Sequence, residues 1–136
     1  MKKIRNDFLS FFKKRIFGII IGLYLVSLFS PCIIVDYTGV HVIGFYILLT
    51  GWVALFSGIP AWFANIFFLL SLRDIIKNKK WNIKLPLISI ALGLTSFLYG
   101  GGLDFGFYVW IFSFCILFLY VYYNSKGNSE FKKVRK

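Results

Sequence analysis

Asp36, Tyr37, His41 and Asp104 are the residues of this 136-residue chain that fit acid–base or metal chemistry and stand apart from its basic segments. Asp36, His41 and Asp104, on two separate loops, offer oxygen and nitrogen ligands that could gather round a cation. The same three could serve as acid and base in a lipid-modifying enzyme. The plainer reading is the solvated polar minimum of two short loops, and no metal, cofactor or catalytic residue is assigned on their account. A second constellation is uncharged: Thr50, Ser57 and Asn65, with Pro60 and Trp62, inside an apolar run at residues 43–72. Hydroxyls and an amide so placed can form hydrogen bonds between helices, or border a path for a solute.

Other chemistries lack their residues. The chain has no GxSxG, HExxH or P-loop pattern, and no carboxylate pair placed to share a proton. No apolar run carries a charged residue in its central part, as a proton or ion relay through a membrane would require. Cys32 and Cys115 have no metal-ligand spacing, and their predicted depths in a bilayer are too different for a disulfide.

The elements that must position these residues follow from composition. The chain is 59% apolar, where soluble domains run at about 45–50%, and its length bounds it to one compact unit. Seventeen Phe, eight Tyr and four Trp beside five acids and one His leave little material for an acid–base enzyme. Four apolar runs stand out: 16–29 (extendable to 35), 43–72, 85–99 and 105–123. A spanning helix takes about 20 residues. The first and fourth runs fit, and the third fits once Trp81, Asn82 and Ile83 are included. The second is longer than an upright helix by about ten residues. The first run reads as a retained span rather than a cleaved signal, because its charged leader is long and no small-x-small site comes after it.

The net charge of +11 is distributed as a topology signal, not as a nucleic-acid footprint. All sixteen Lys and Arg residues lie in three places. The leader holds Lys2, Lys3, Arg5, Lys13, Lys14 and Arg15. The middle loop holds Arg73, Lys77, Lys79, Lys80 and Lys84, and the tail holds Lys126, Lys132, Lys133, Arg135 and Lys136. The positive-inside rule then puts both termini and the middle loop in the cytoplasm. Within the leader, Ile4, Phe8, Phe11 and Phe12 fall at helical spacing with bases on the other flank. This fits either an amphipathic helix drawn to anionic headgroups or a frayed charged leader. The tail reads as a solvated, partly disordered end.

On a helical wheel the second run has two sides. Thr50, Ala54, Ser57, Gly58, Ala61, Ala64 and Asn65 form a small, faintly polar face opposite Trp52, Phe56, Ile59, Trp62, Phe63 and Ile66. Helices in lipid associate through close packing and hydrogen bonds, so the small face is expected to point inward. Pro60 removes one backbone donor and kinks the helix, which absorbs part of the excess length. Asn65 is expected to bond across helices, Trp52 to sit at the outer boundary, and Trp62 to pack. Gly18-x-x-x-Gly22 in the first run and Ser89, Gly93, Ser96 and Gly100 in the third are small-residue patterns compatible with close helix crossing. The second and third spans are expected to touch.

Gly51-Trp52, Gly58 and Ala61-Trp62-x-Ala64-Asn65 form a GW…AWxAN segment. Pro31-Cys32 lies before it and the aromatic run Gly106-Phe107-Tyr108-Val109-Trp110 after it. In these features, over residues 31–115, the chain resembles a group of small bacterial four-helix inner-membrane proteins. It departs from them at Ile66, where they often carry a proline after the Asn. The resemblance implies an architecture and a bacterial inner-membrane setting, and assigns no activity.

Together these readings predict an all-α polytopic membrane protein with four transmembrane helices, the second kinked at Pro60, and both termini cytoplasmic. A basic leader (1–15) and tail (124–136) flank a membrane domain (16–123) with spans near 16–34, 46–72, 82–99 and 105–123. The expected role is non-enzymatic binding or packing within the membrane, as in an immunity-type or accessory protein. The alternative is a small oligomeric channel or transporter for an apolar or aromatic substrate. Expected partners are anionic lipid headgroups and either another membrane protein or further copies of the chain, with no nucleic acid and no cofactor.

Overall fold

The computed structural model describes the backbone at residues 2–35, 38–57, 60–77, 81–99 and 102–133. Side chains in those stretches are described except at 2–13, 54, 55, 57 and 126–133. The chain is mostly helical, but not purely so, and its second apolar run is divided.

Helix α1 (Lys2–Phe29) is unbroken, so the basic leader and the first apolar run share one helix rather than forming two. The leader's apolar pattern lies outside the described side chains. The helix stops because Pro31 has no N–H to give the Ser27 carbonyl, which accepts the Cys32 thiol at 3.3 Å instead. Beyond the proline the chain extends into a strand. The β-branched run of β1 (Pro31–Val35) pairs antiparallel with β2 (Val40–Ile43), placing Ile34 opposite His41 and Val35 opposite Val40. Gly39, at φ +64°, supplies the left-handed turn between them. The short β3 (Gly102–Leu103) adds to the other side of β1, giving the order β2-β1-β3. The class is therefore helical with a small antiparallel sheet, not all-α.

The second apolar run is not one helix kinked at Pro60. It divides into α2 (Gly44–Thr50), a 3-10 segment (Gly51–Ser57), a 3-10 turn (Pro60–Trp62) and α3 (Phe63–Ile76). A hydrogen bond of 2.8 Å from the Trp62 indole N–H to the Leu48 carbonyl closes this stretch on itself. In a continuous helix, fourteen positions would separate those groups by about 20 Å. Two small features make that approach possible: Pro60 cannot continue a helix, and Gly51 has no side chain to stand in the way of Trp62. A Cβ at Gly51 would sit 2.9 Å from the Trp62 ring.

Helix α4 (Lys84–Leu94) runs into a 3-10 segment (Thr95–Tyr99), and α5 (Phe105–Lys133) carries the fourth apolar run into the tail. The tail is thus helical to Lys133, in place of the partly disordered end its composition suggests. Among the described residues one helix, Phe105–Ser125, is long and apolar enough to cross a membrane by length and composition. The second run falls short because it folds back; α4 itself is only eleven residues before the coil tightens.

Helices α1 and α5 are antiparallel neighbours. Gly106, at the start of α5, meets the end of α1: a Cβ there would lie 2.6 Å from the Pro31 carbonyl oxygen and 2.7 Å from the Cys32 sulfur. Helix α3 packs with them around Ile20, Tyr24, Ala64, Phe68, Leu72, Phe114, Leu117 and Val121. Helix α4 covers α3 and α5, and its buried Gly93 makes room for Ile111 and Trp110. The second and third runs do touch, but the small residue at 93 receives α5 rather than α3. Among the described residues Gly18 and Gly22 have nothing within 4 Å of a would-be Cβ, so this pair crosses no helix described there.

Candidate functional site

Asn65 is the polar centre of the bundle. It lies one half-turn into α3, 8% exposed, where that helix faces both α1 and α5. Its Oδ1 accepts hydrogen bonds from the Tyr24 hydroxyl at 2.9 Å and the Trp110 indole N–H at 2.9 Å. An indole nitrogen only donates, which fixes the orientation of the amide: the oxygen must face Trp110. Nδ2 then points back along the chain and donates to the Trp62 carbonyl at 3.4 Å. One side chain thus joins three helices, as expected of an amide among apolar neighbours.

Aromatic rings wall this knot. Tyr24 stacks on Phe68 at 4.6 Å between centroids, Phe68 meets Phe114 at 4.8 Å, and Phe114 meets Trp110 at 4.6 Å. Nearby buried hydroxyls turn back to their own helices. Ser27 donates to the Tyr24 carbonyl, Ser89 to Leu85 and Ser113 to Trp110. No buried side-chain polar atom among the described residues lacks a partner.

Of the residues expected to share an intramembrane site, Trp62 and Asn65 come together and Pro60 opens the turn that leads to them. Thr50 does not join them; it is partly buried and its hydroxyl bonds the Tyr46 carbonyl of its own helix at 2.8 Å. The Ser57 side chain lies outside the described residues. Tyr24 and Trp110 do not stand out as site residues in the sequence. A usable signal exists for Tyr24: it lies nine positions from Arg15, and Asn65 eight from Arg73, so the two sit at matched depth from a basic edge.

At the sheet end, His41 and Asp104 meet. The His41 Nδ1–H donates to Asp104 Oδ2 at 2.6 Å, tying β2 to the start of α5. Asp104 Oδ1 accepts the Phe105 backbone N–H at 2.7 Å, and its own N–H donates to the Cys32 carbonyl at 2.9 Å. The Phe105 N–H and then the His41 imidazole hold the Asp104 carboxyl below the ordinary carboxylate range. Asp36 and Tyr37 lie outside the described residues. Among the described residues no three His, Cys, Asp or Glu side chains converge as metal ligands. Among those residues His41 has no hydrogen bond to a hydroxyl or thiol, so the pair acts as a clasp across the sheet. Both cysteines are free.

Comparison with known protein families, with characterised proteins and with solved structures gives no match.

Proposed function

We propose that this chain is a small integral protein of a bacterial inner membrane that acts by binding and packing inside the bilayer rather than by catalysis. Its four crossings are α1, the stretch 60–76, the stretch 84–99 and α5. The two middle stretches, each with a 3-10 portion that rises faster per residue, reach about 26–27 Å, close to a hydrocarbon core of about 30 Å. Ile16, Phe17, Ile75, Trp81 and Ile83 pack on the same cluster as Tyr120 and Val121, and Trp81 meets Tyr120 ring to ring at 5.8 Å. Arg15, Arg73 and Lys84, each beside or near one of these residues in sequence, therefore belong to one end of the bundle, the end that the positive-inside rule would assign to the cytoplasm. Anionic headgroups are the natural neighbours of that end. The sequence resemblance to small four-helix inner-membrane proteins agrees with this setting.

The observation that carries the non-catalytic reading is Asn65. Its oxygen already accepts two protein donors and its amide nitrogen faces a protein carbonyl. It is a joint between helices, and it offers a passing solute little. The groups left unused are apolar, as along α5 at Phe105, Phe112 and Leu119. A membrane-inserted partner, or a second copy, would pack there, as an immunity-type or accessory protein requires. A photoreactive residue placed at Phe112 or Leu119 in native membranes is expected to yield a discrete protein adduct. Adducts to lipid alone at both positions would overturn the proposal. Solute flux in liposomes that vanishes in a folded Asn65→Leu variant would support the channel reading instead.

A further inference from the structure

The stretch 44–57 has a placement that neither a crossing helix nor an ordinary loop accounts for. Its first residue lies against α1: the Gly44 N–H donates to the Ser30 carbonyl at 3.1 Å, and a Cβ at Gly44 would collide with the Ser27 carbonyl oxygen. Four residues later the Leu48 carbonyl reaches Trp62, at the head of α3. Ser27 and Trp62 each stand three residues outward of the bonded pair Tyr24–Asn65, a rise of about 4.5 Å. Both ends of this span of α2 are therefore at one height, to within a turn. Helix α2 runs across the sheet end of the bundle, not down it.

The side facing the bundle is Gly44, Ile47, Leu48 and Gly51. The other side exposes Phe45, Tyr46, Leu49, Trp52, Val53 and Phe56, the last 85% exposed. Between Val42 and Leu72 there is no Asp, Glu, Lys or Arg. Two of the exposed residues have polar tips, and among the described residues neither the Tyr46 hydroxyl nor the Trp52 indole N–H bonds to protein. Tyr24, Trp62 and Trp110 are all bonded. A dry protein partner would leave those tips unpaired at a cost. The boundary between headgroups and acyl chains offers both hydrocarbon and acceptors, and Tyr and Trp concentrate there for that reason.

We propose that residues 44–57 form an outer-leaflet anchor lying in the plane of the membrane, its aromatic face seated in the headgroup–acyl boundary of phospholipids. The proposal rests on the membrane reading above and deepens it by naming the lipid surface. It accounts for the excess length of the second apolar run, since these residues cross nothing. With no charge in the segment, its seating is independent of headgroup charge, unlike that of the basic end.

The test uses the full chain in phosphatidylcholine proteoliposomes, with Cys115 replaced by Ala and nitroxide labels at Leu49→Cys or, as reference, Leu69→Cys. Leu69 is half-exposed in the middle of α3. Collision with oxygen and with a water-soluble nickel chelate reads the depth of each label. The Leu49 label is expected about 5–10 Å below the headgroups, shallower than the Leu69 label, and unmoved when anionic lipid is added. A Leu49 label open to the chelate as in bulk water, with Leu69 in lipid, overturns the anchor. So does a Leu49 label shielded from both reagents, which would place a second copy on this face. If the Leu69 label is itself in water, the membrane reading fails and takes the anchor with it.

Discussion

Replacing Asn65 by Leu keeps the size of the side chain and removes the acceptor shared by Tyr24 and Trp110. Two donors from two other helices then face apolar side chains. In a water-soluble core each such orphan costs about 1–3 kcal/mol. In a bilayer the unfolded reference also finds partners, and interhelical hydrogen bonds average about 0.6 kcal/mol with a maximum near 1.7. Two bonds at those values bracket the loss at about 1–3 kcal/mol, with the weak 3.4 Å contact to Trp62 adding little. The stronger test is a double-mutant cycle of Asn65→Leu with Tyr24→Phe, since Tyr24→Phe deletes one donor and keeps the ring on Phe68. The two changes remove the same bond, so the pair should cost less than the sum of the singles by about 0.6–1.7 kcal/mol. Reversible unfolding in mixed micelles, monitored by helical circular dichroism, supplies the four stabilities. Strict additivity, with each single variant still folded, would refute the claim that this amide joins the helices.

Two further outcomes test other parts of the fold. Gly106→Ala drives a Cβ into the Pro31 carbonyl and the Cys32 sulfur and is expected to lose about 1–3 kcal/mol. Gly18→Ala and Gly22→Ala meet open space and should be neutral or gain up to about 1 kcal/mol from helix propensity; the same denaturation assay decides, and the reverse order would overturn the packing described. The Asp104 carboxyl is held below its ordinary value by the Phe105 N–H and His41. Its contribution is therefore complete above about pH 4, the unfolded value, and is lost as pH falls through the lower folded value. The stability difference between the parent and Asp104→Asn should accordingly shrink in that acid window, and a difference constant through it would contradict the clasp.

Hydropathy and charge are enough to locate four apolar runs, the basic segments between them and the unusual content of residues 58–65. These are properties of residue type and order, and removal of apolar groups from water acts on them one segment at a time. The amide at 65 can also be read as a bond-seeking group, because an amide in an apolar run has few other outlets. Its partners cannot be read. Tyr24 and Trp110 are 41 and 45 positions away, and only the mutual rotation of α1, α3 and α5 brings their polar tips onto one oxygen. The break in the second run is hidden for a related reason. Gly51 and Pro60 are compatible with either a bent helix or a reversal. What selects the reversal is the long-range seat of Trp62 on Leu48 and of Gly44 on α1. In the same way the β-branched residues after Pro31 could prolong a span or pair as a strand, and it is Gly102 and Leu103, some seventy positions on, that complete the sheet. Apolar character and basic charge are set residue by residue, whereas turning back, pairing and saturating an amide depend on which distant backbone is close enough to answer.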